Sequence, residues 1–247
     1  AVIWPAMLMA AGLAVPKKVF AHGWLLVGGE KMSKSKLTGI APSDITDHFG
    51  VDAFRYYFLR AIPFGSDGSF SWEDMSARYT SELANDFGNL ASRLAAMIEK
   101  YCEGKVPAKA NDAALSAALT STVEKADAAM VALDFQGGIN AVMDFCKKVN
   151  GYVTEKEPWI LAKDPANKAA LEEVLYNTAE SLRALAVLLH PVMPASTEIL
   201  WESLGANATI GSLADQQISK VAQWGQLPKG TLVTKTPVLF PRLETKE

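Results

Sequence analysis

Residues 28–39, GGEKMSKSKLTG, place three lysines and two serines within six positions, with glycines on either side. Glycine lets a backbone turn tightly, lysine carries a compact charge on a flexible stem, and serine hydroxyls can donate to phosphate oxygens. Because Lys31 and Lys34 are three positions apart, a tight turn would bring both ammonium groups to one side. Such a pair could stabilise the negative charge that develops on a pyrophosphate leaving group.

Other interpretations of this loop can be compared on residue types. Gly23 and Gly28 have the glycine spacing of a P-loop, but Gly29 and Glu30 stand where that motif requires Lys and Ser/Thr. The WLLV between the two glycines favours a strand, so a P-loop is rejected. On charge alone, a solvated basic hairpin is the commoner outcome. A modification or localisation site is a weaker interpretation, because Met32 and two serines interrupt the lysines.

Composition indicates a globular protein without global attraction to nucleic acid. The chain has 247 residues, 49% of them hydrophobic and 21% charged, and a formal net charge of −3. Two distant cysteines and three histidines show neither a disulfide framework nor a metal-ligand cluster, so a reducing, cytoplasmic location is expected. Charge is uneven, however: before Asp44 the only acid is Glu30, against five lysines.

The elements around the loop are predicted from periodicity. The apolar start AVIWPAMLMAAGLAVP lacks the basic leader of a signal peptide and predicts a buried helix, as if the chain began inside a domain. Short β-forming runs at Val19–Ala21 and Trp24–Val27 predict two strands. A helix capped by Ser43 or Asp44 is expected to continue to about Ala61.

From Ser71 onwards the pattern is helical. A capping-box-like Ser71-x-x-Asp74 begins a helix to about residue 101, with apolar residues at steps of three and four. Further helices are predicted at about 113–133, 135–156, 158–163, 167–190 and 194–204. These make an antiparallel bundle. After about Gly205 the chain is predicted to be irregular, with TPVLFPRLE as an extended returning segment.

One face of the first long helix is polar. Asn85, Asn89 and Arg93 are spaced i, i+4 and i+8, which puts them on one side, on the order of 140° from the apolar stripe. Trp159 follows Pro158 at another helix start. A polar face is usually only solvated and a lone Trp is usually core. Yet Asn and Arg are side chains that read base edges, and Trp can stack an unpaired base.

Five stretches resemble a known family. KMSKS at 31–35 matches the signature loop of class I aminoacyl-tRNA synthetases letter for letter. Four further stretches resemble the methionyl-tRNA synthetases within that class, and the resemblance covers the whole chain. They are WPAMLMAAG at 4–12 running on to FAHGWLLVGGEKMSKS at 20–35, DAFRYYFLR at 52–60, NDFGNLASR at 85–93, and KEPWILAK at 156–163.

The resemblance implies a mainly α fold in three parts. Residues 1–71 would be the carboxy-terminal part of a Rossmann-type α/β catalytic domain that includes the lysine loop. Residues 72–205 would form the helical-bundle anticodon-binding domain, and residues 206–247 a tail that returns to the catalytic domain. No additional module for dimerisation is seen, so a monomer is expected.

The resemblance also implies roles for particular residues. Lys34 would bind the ATP phosphates with help from Lys31, in a loop that closes over ATP and also contains Met32, Ser33 and Ser35. The backbone around Leu25 would contact the adenine. The anticodon of tRNA-Met would be recognised by four side chains: Asn85, Asn89, Arg93 and Trp159. Mg²⁺ would enter with ATP, and no protein ligand for a metal is expected in this chain.

The implied activity is ATP-dependent activation of methionine and its transfer to tRNA-Met, as protein biosynthesis requires. Two departures from the family pattern bear on it. KMSKS is followed by Lys36-Leu37-Thr38-Gly39 instead of a Leu-Gly-Asn-like continuation, and no HIGH-type motif is present. The changed continuation is a loop variation that leaves the lysines untouched, but because the HIGH-type motif is missing, the chain is expected to be inactive alone. Another class I synthetase, a non-catalytic tRNA-binding fragment and a plain helical scaffold stay open as alternatives.

Overall fold

The computed structural model describes residues 1–27, 30–31 and 40–243, and residues 30 and 31 by their backbone alone. A small sheet and three helices come first. Their bounds are α1 Ile3–Ala10, β1 Leu25–Val27, β2 Glu30–Lys31, α2 Pro42–Phe49, α3 Val51–Ala61 and β3 Gly68–Phe70. β1 is the central strand: it pairs antiparallel with β2, Leu26 opposite Lys31, and parallel with β3, Leu26 opposite Ser69.

Three predictions for this part were wrong in detail. Residues 19–21 do not form a strand, whereas Gly68–Phe70, for which no strand was predicted, does. The β3 pairing comes from residues more than 40 positions away, which local propensity does not register. The helix expected up to Ala61 breaks at Gly50, whose φ of 85° no α-helical residue adopts, so that α2 and α3 are separate helices.

Helix α1 is a helix as predicted, but the predicted burial is not seen among the described residues of this chain. Its sequence, IWPAMLMA, is apolar on every side, yet none of its residues is buried. Ile3 is 76% exposed and Met9 70% exposed. No element among the described residues packs over this helix closely enough to bury any of its side chains.

A long helical rod follows the sheet and contains an unpredicted irregularity. It consists of α4, Trp72–Arg78, a π-helical segment, Tyr79–Gly88, and α5, Asn89–Tyr101. The predicted start is confirmed, since the Ser71 hydroxyl accepts from the Asp74 amide at 3.2 Å. In the π segment the turns are wider, and the Asn89 amide donates to the Ala84 carbonyl five residues earlier.

The remaining helices form the bundle, and the mainly α fold is confirmed. They are α6 Ala113–Val131, α7 Phe135–Lys156, α8 Pro158–Leu161, α9 Lys168–Leu189, α10 Pro194–Ser203, α11 Ala206–Ile210 and α12 Ile218–Val221, with 3₁₀ turns at Pro165–Asn167 and Leu213–Asp215. Helix α9 is the central element, since it is buried continuously from Val174 to its end. Within the described ranges, no helix has the length and apolar character to cross a bilayer.

A buried ion pair on α9 ties the last part of the chain to the bundle. The Glu180 carboxylate accepts from Arg183 Nε at 2.9 Å and from the consecutive backbone amides of residues 225–227 at 3.0–3.1 Å. The side chains of both ionised residues are almost completely buried. This part of the chain was predicted to be irregular, but the short helices α11 and α12 lie within it.

The end of the described chain packs on the π segment. The Phe240 ring contacts the rings of Tyr79 and Phe87, with centroids 5.9 and 6.5 Å away. The Tyr79 hydroxyl donates to the Pro241 carbonyl at 2.8 Å. The extended segment near the carboxy terminus therefore covers the first helical rod.

Helix α3 is bonded to the turn between α9 and α10. Arg55 donates from Nε to the Val192 carbonyl at 2.9 Å and from Nη2 to the Pro191 carbonyl at 2.7 Å. The buried Asp52 carboxylate accepts from the Ser196 amide at 2.6 Å, in the first turn of α10. A carboxylate in this position satisfies a helix amide that has no partner within the helix and also complements the helix dipole.

We expect Asp52→Asn to lower the free energy of unfolding by about 1–2 kcal/mol, because a charge-assisted bond to a helix amino terminus becomes a neutral one. Urea unfolding followed by circular dichroism measures this. Asp47→Asn is the matched control, since Asp47 is exposed on α2 and should change stability by no more than about 0.5 kcal/mol. Equal effects of the two changes would contradict the importance of this bond.

Candidate nucleic-acid interface

The lysine loop is only partly described. Lys31 is placed by its backbone at the end of β2, opposite Leu26 of β1. Met32, Ser33, Lys34 and Ser35 lie outside the described residues. The structure thus joins the loop to the strand predicted to contact adenine, and the ATP site itself stays a prediction.

Strand β1 is fixed by a close approach of two loops. A Cβ on Gly23 would lie 2.1 Å from backbone atoms of Ser66, so any larger residue would force the loops apart. The next amide, that of Trp24, donates to Asp67 Oδ1 at 2.6 Å. These contacts hold the entry to β1 against the loop that leads into β3, and they explain the glycine in the AHGW stretch.

The structure places three of the predicted anticodon-binding residues on one exposed face. Asn85 is in the π segment, and Asn89 and Arg93 are in the first part of α5; all three side chains are exposed. Asn89 Nδ2 donates to Asn85 Oδ1 at 3.4 Å, a long bond that leaves most of both amides free. The polar face expected from the spacing is present in the structure even though the helix is not uniformly α.

The fourth predicted residue, Trp159, lies against this face. The Arg93 guanidinium carbon is 5.6 Å from the centroid of the Trp159 ring, within the range of a cation–π contact. Trp159 is 37% exposed, so it is not a core residue. Two stretches more than 60 residues apart therefore meet at one point on the surface.

The junction between α7 and α8 places Trp159 at this point. Glu157 adopts a left-handed conformation with φ 44°, which ends α7 and turns the chain sharply. Pro158 follows at the first position of α8 and is buried, so the neighbouring ring is held at the surface. The local backbone is thus arranged to present an aromatic ring beside α5.

This arrangement suits the recognition of an unpaired base. Asn side chains offer paired donors and acceptors, Arg offers a planar fork of donors, and an exposed indole offers a stacking surface. None of the four side chains is a strong nucleophile or a general acid or base. Among the residues the structure describes, no group of His, Cys, Asp and Glu could hold a metal ion.

Two supporting residues were missed by the sequence reasoning. Asn150 on α7 donates to the Asp86 carbonyl at 2.8 Å, next to Asn85. Glu82, also in the π segment, is bonded to α3. The sequence contains one signal for the π segment. Its apolar residues follow one another at steps of four, at Met75, Tyr79, Leu83 and Phe87, whereas a regular α-helix is expected to alternate steps of three and four.

Comparison with known proteins gives a consistent result. The family model of class I tRNA synthetases (M) matches residues 1–95, and the anticodon-binding domain of tRNA ligases matches residues 112–230. Methionine–tRNA ligase of Streptomyces coelicolor is 62% identical over 253 residues, covering 100% of this chain and 47% of that protein. The Bacillus subtilis protein of the same name is 41% identical over 254 residues, covering 100% and 37%.

Solved structures agree in fold. Mycobacterium tuberculosis methionyl-tRNA synthetase in complex with methionyl-adenylate matches with a TM-score of 0.86 at 36% identity, covering 98% of this chain and 47% of that one. The apo form from the same organism matches with a TM-score of 0.83 at 33% identity, with the same coverage. The chain spans less than half the length of each of these relatives.

We expect Arg93→Gln to cost less than about 1 kcal/mol of stability, because an exposed cation–π contact contributes little. Arg183→Gln is the contrast: Arg183 is 1% exposed and ion-paired, so its loss should cost about 3–5 kcal/mol. Urea unfolding of both variants measures the difference. A cost above about 2 kcal/mol for Arg93→Gln would make Arg93 a structural residue.

Proposed function

The chain belongs to the class I methionyl-tRNA synthetases, and we propose that it is the part of a methionine–tRNA ligase that carries the lysine loop and the anticodon-binding helices. In the full enzyme, the methionine carboxylate attacks the α-phosphate of ATP and pyrophosphate leaves. The terminal ribose hydroxyl of tRNA-Met then attacks the carbonyl carbon of the methionyl-adenylate, so that the methionyl group is transferred to the tRNA and AMP leaves. Lys34 and Lys31 stabilise the charge on the departing phosphates, and Mg²⁺ enters with ATP.

One observation carries the tRNA part of this proposal: Arg93 and Trp159, from separate stretches of the chain, meet on an exposed surface beside Asn85 and Asn89. A core tryptophan would be enclosed, and a solvated helix face would not need a ring from another helix beside it. An exposed ring next to amide and guanidinium groups matches the needs of an anticodon base taken out of the loop stack.

The surface of α1 supports the proposal that activation needs more of the enzyme. An eight-residue apolar helix with no buried residue is stable only when another segment covers it. We propose that the remaining part of the catalytic domain packs there and completes the ATP and methionine sites. Alone, this chain would bind tRNA without activating methionine.

The division into parts is also a proposal. We assign residues 1–71 to the catalytic domain, 72–205 to the anticodon-binding bundle and 206–247 to a returning tail. Residues Leu239–Leu243 line one cavity together with Asp47–Ala53 of α2 and α3, which supports a tail that runs back toward the catalytic part. We further propose that the enzyme acts as a monomer in the cytoplasm. Burial raises the pKa of the Cys146 thiol to about 12, which keeps it an unreactive thiol.

We expect Trp159→Ala to weaken binding of the tRNA-Met anticodon stem-loop by about tenfold or more, because a base loses its stacking surface. Fluorescence anisotropy with a labelled stem-loop measures this. Trp72→Ala is a matched control, since Trp72 is also 37% exposed at the start of a helix but packs against Phe49. Equal weakening by both variants, or by neither, would contradict anticodon binding at Trp159.

Joining the chain to the upstream part of the Streptomyces coelicolor relative tests the catalytic role. We expect this chimera to catalyse pyrophosphate exchange with methionine, and Lys34→Ala to lower its kcat by about 10²–10³-fold, the usual cost of removing a group that stabilises transition-state charge. Lys36→Ala, just outside KMSKS, should leave exchange nearly unchanged. Exchange with leucine or valine but not with methionine would contradict the assigned amino acid.

A further inference from the structure

Glu82 is the centre of a buried polar cluster that links the first helical rod to α3. Tyr56 Oη donates to Oε2 of Glu82 at 2.6 Å, and Arg60 Nη2 donates to Oε1 at 3.1 Å. Arg78 Nη1, one turn earlier on the rod, donates to Oε1 at 3.4 Å. One carboxylate therefore accepts from three side chains, two of them on another helix.

The donors depend on this carboxylate. Burial and the neighbouring Glu82 carboxylate raise the pKa of the Tyr56 hydroxyl above its ordinary value, so the phenol stays protonated and donates. Among the described residues, the buried Nε of Arg60 has no hydrogen-bond partner, so the bond from Nη2 to Glu82 is important for that guanidinium. Removing the charge of Glu82 would leave these groups poorly satisfied.

Glu82 lies within the π segment, three positions before Asn85. A π-helical stretch is rare and competes with a regular α-helix of the same sequence, so it persists only where contacts outside the helix favour it. Besides the packing of the carboxy-terminal segment on Tyr79 and Phe87, two bonds from other helices reach it: Glu82 bonds to α3, and the Asp86 carbonyl accepts from Asn150 on α7. The segment is therefore held from two sides, by two different helices.

The register of this segment decides where Asn85 points. In an α-helix a shift of one residue turns a side chain by about 100° around the axis. If residues 79–88 relaxed to a regular α-helix, Asn85 and Asn89 would still share a face, being four positions apart, but Asn85 would turn around the axis relative to Arg93, which lies in the regular helix beyond the segment. Arg93 and Trp159, beyond the segment, would keep their contact.

We infer that Glu82 is a positioning residue for RNA recognition: its bonds to Tyr56 and Arg60 hold the π register that sets the direction of Asn85 relative to Arg93 and Trp159 on their shared face. The inference rests on the proposed function of that face. By this inference, discrimination between anticodon bases depends on the helical register of the π segment. Stacking of a base on Trp159 does not depend on that register. The inference also makes the face dependent on α3, the second helix after the lysine loop.

The test compares two labelled anticodon stem-loops, one with the CAU anticodon of methionine and one with a single anticodon base changed. Fluorescence anisotropy gives the ratio of the two dissociation constants. For the unaltered chain we expect a ratio of about ten or more, as paired side-chain contacts to a base provide. For Glu82→Gln we expect the ratio to fall toward one, while the matched control Glu99→Gln, exposed on α5, keeps it.

Thermal unfolding of each variant separates positioning from stability. If Glu82→Gln unfolds at a lower temperature but keeps the full ratio when measured well below that temperature, Glu82 is merely structural and the inference is wrong. Should Glu82→Gln fail to fold, Tyr56→Phe decides, since it removes one bond and keeps the ring: a reduced ratio supports the inference and an unchanged ratio overturns it. An unaltered chain that does not discriminate would refute the proposed anticodon face itself, and the inference with it.

Discussion

Helix α3 is bonded to the bundle along its length, through Asp52 and Arg55 near its start and through Tyr56 and Arg60 further on. The partners are backbone groups of the α9–α10 turn and the carboxylate of Glu82. Charged groups that are taken out of water must keep such partners, since leaving one unpaired is expensive. The relative position of α3 and the bundle is therefore strongly specified, and the elements that pack on α3 take their place from it.

The sequence predicted those elements whose signals are local. The Ser71 cap and the long apolar stripes gave helices whose bounds lie close to the observed ones, because helical periodicity and capping are properties of neighbouring residues. It failed where pairing is distant or where tertiary contacts override propensity. Strand β3 exists because β1 lies beside it, and the π segment is favoured by partners on α3 and α7. Helix α1 was expected to be buried, yet nothing among the described residues buries it.

The sequence predicted which residues make up the candidate face, but not the contacts that hold them together. Spacing put Asn85, Asn89 and Arg93 on one side, and resemblance added Trp159. No pattern showed that Arg93 would contact the indole, because this depends on the left-handed turn at Glu157. Nothing in the sequence singled out the supporting Glu82, since sequence alone does not reveal which charges a fold encloses. The lysine loop was the reverse case: its spelling was the strongest signal, and most of it lies outside the described residues.

The residues proposed to bind RNA and the residues that hold them differ in one physical respect. Asn85, Asn89 and Arg93 are exposed, so changing them costs little stability, and their groups are free for a ligand. Glu82 and Tyr56 are buried and bonded, so they tolerate little change. A binding face loses less entropy on association when its side chains project from a rigid frame. Here that frame includes α3, so the proposed anticodon face is supported partly by the end of the molecule that carries the lysine loop.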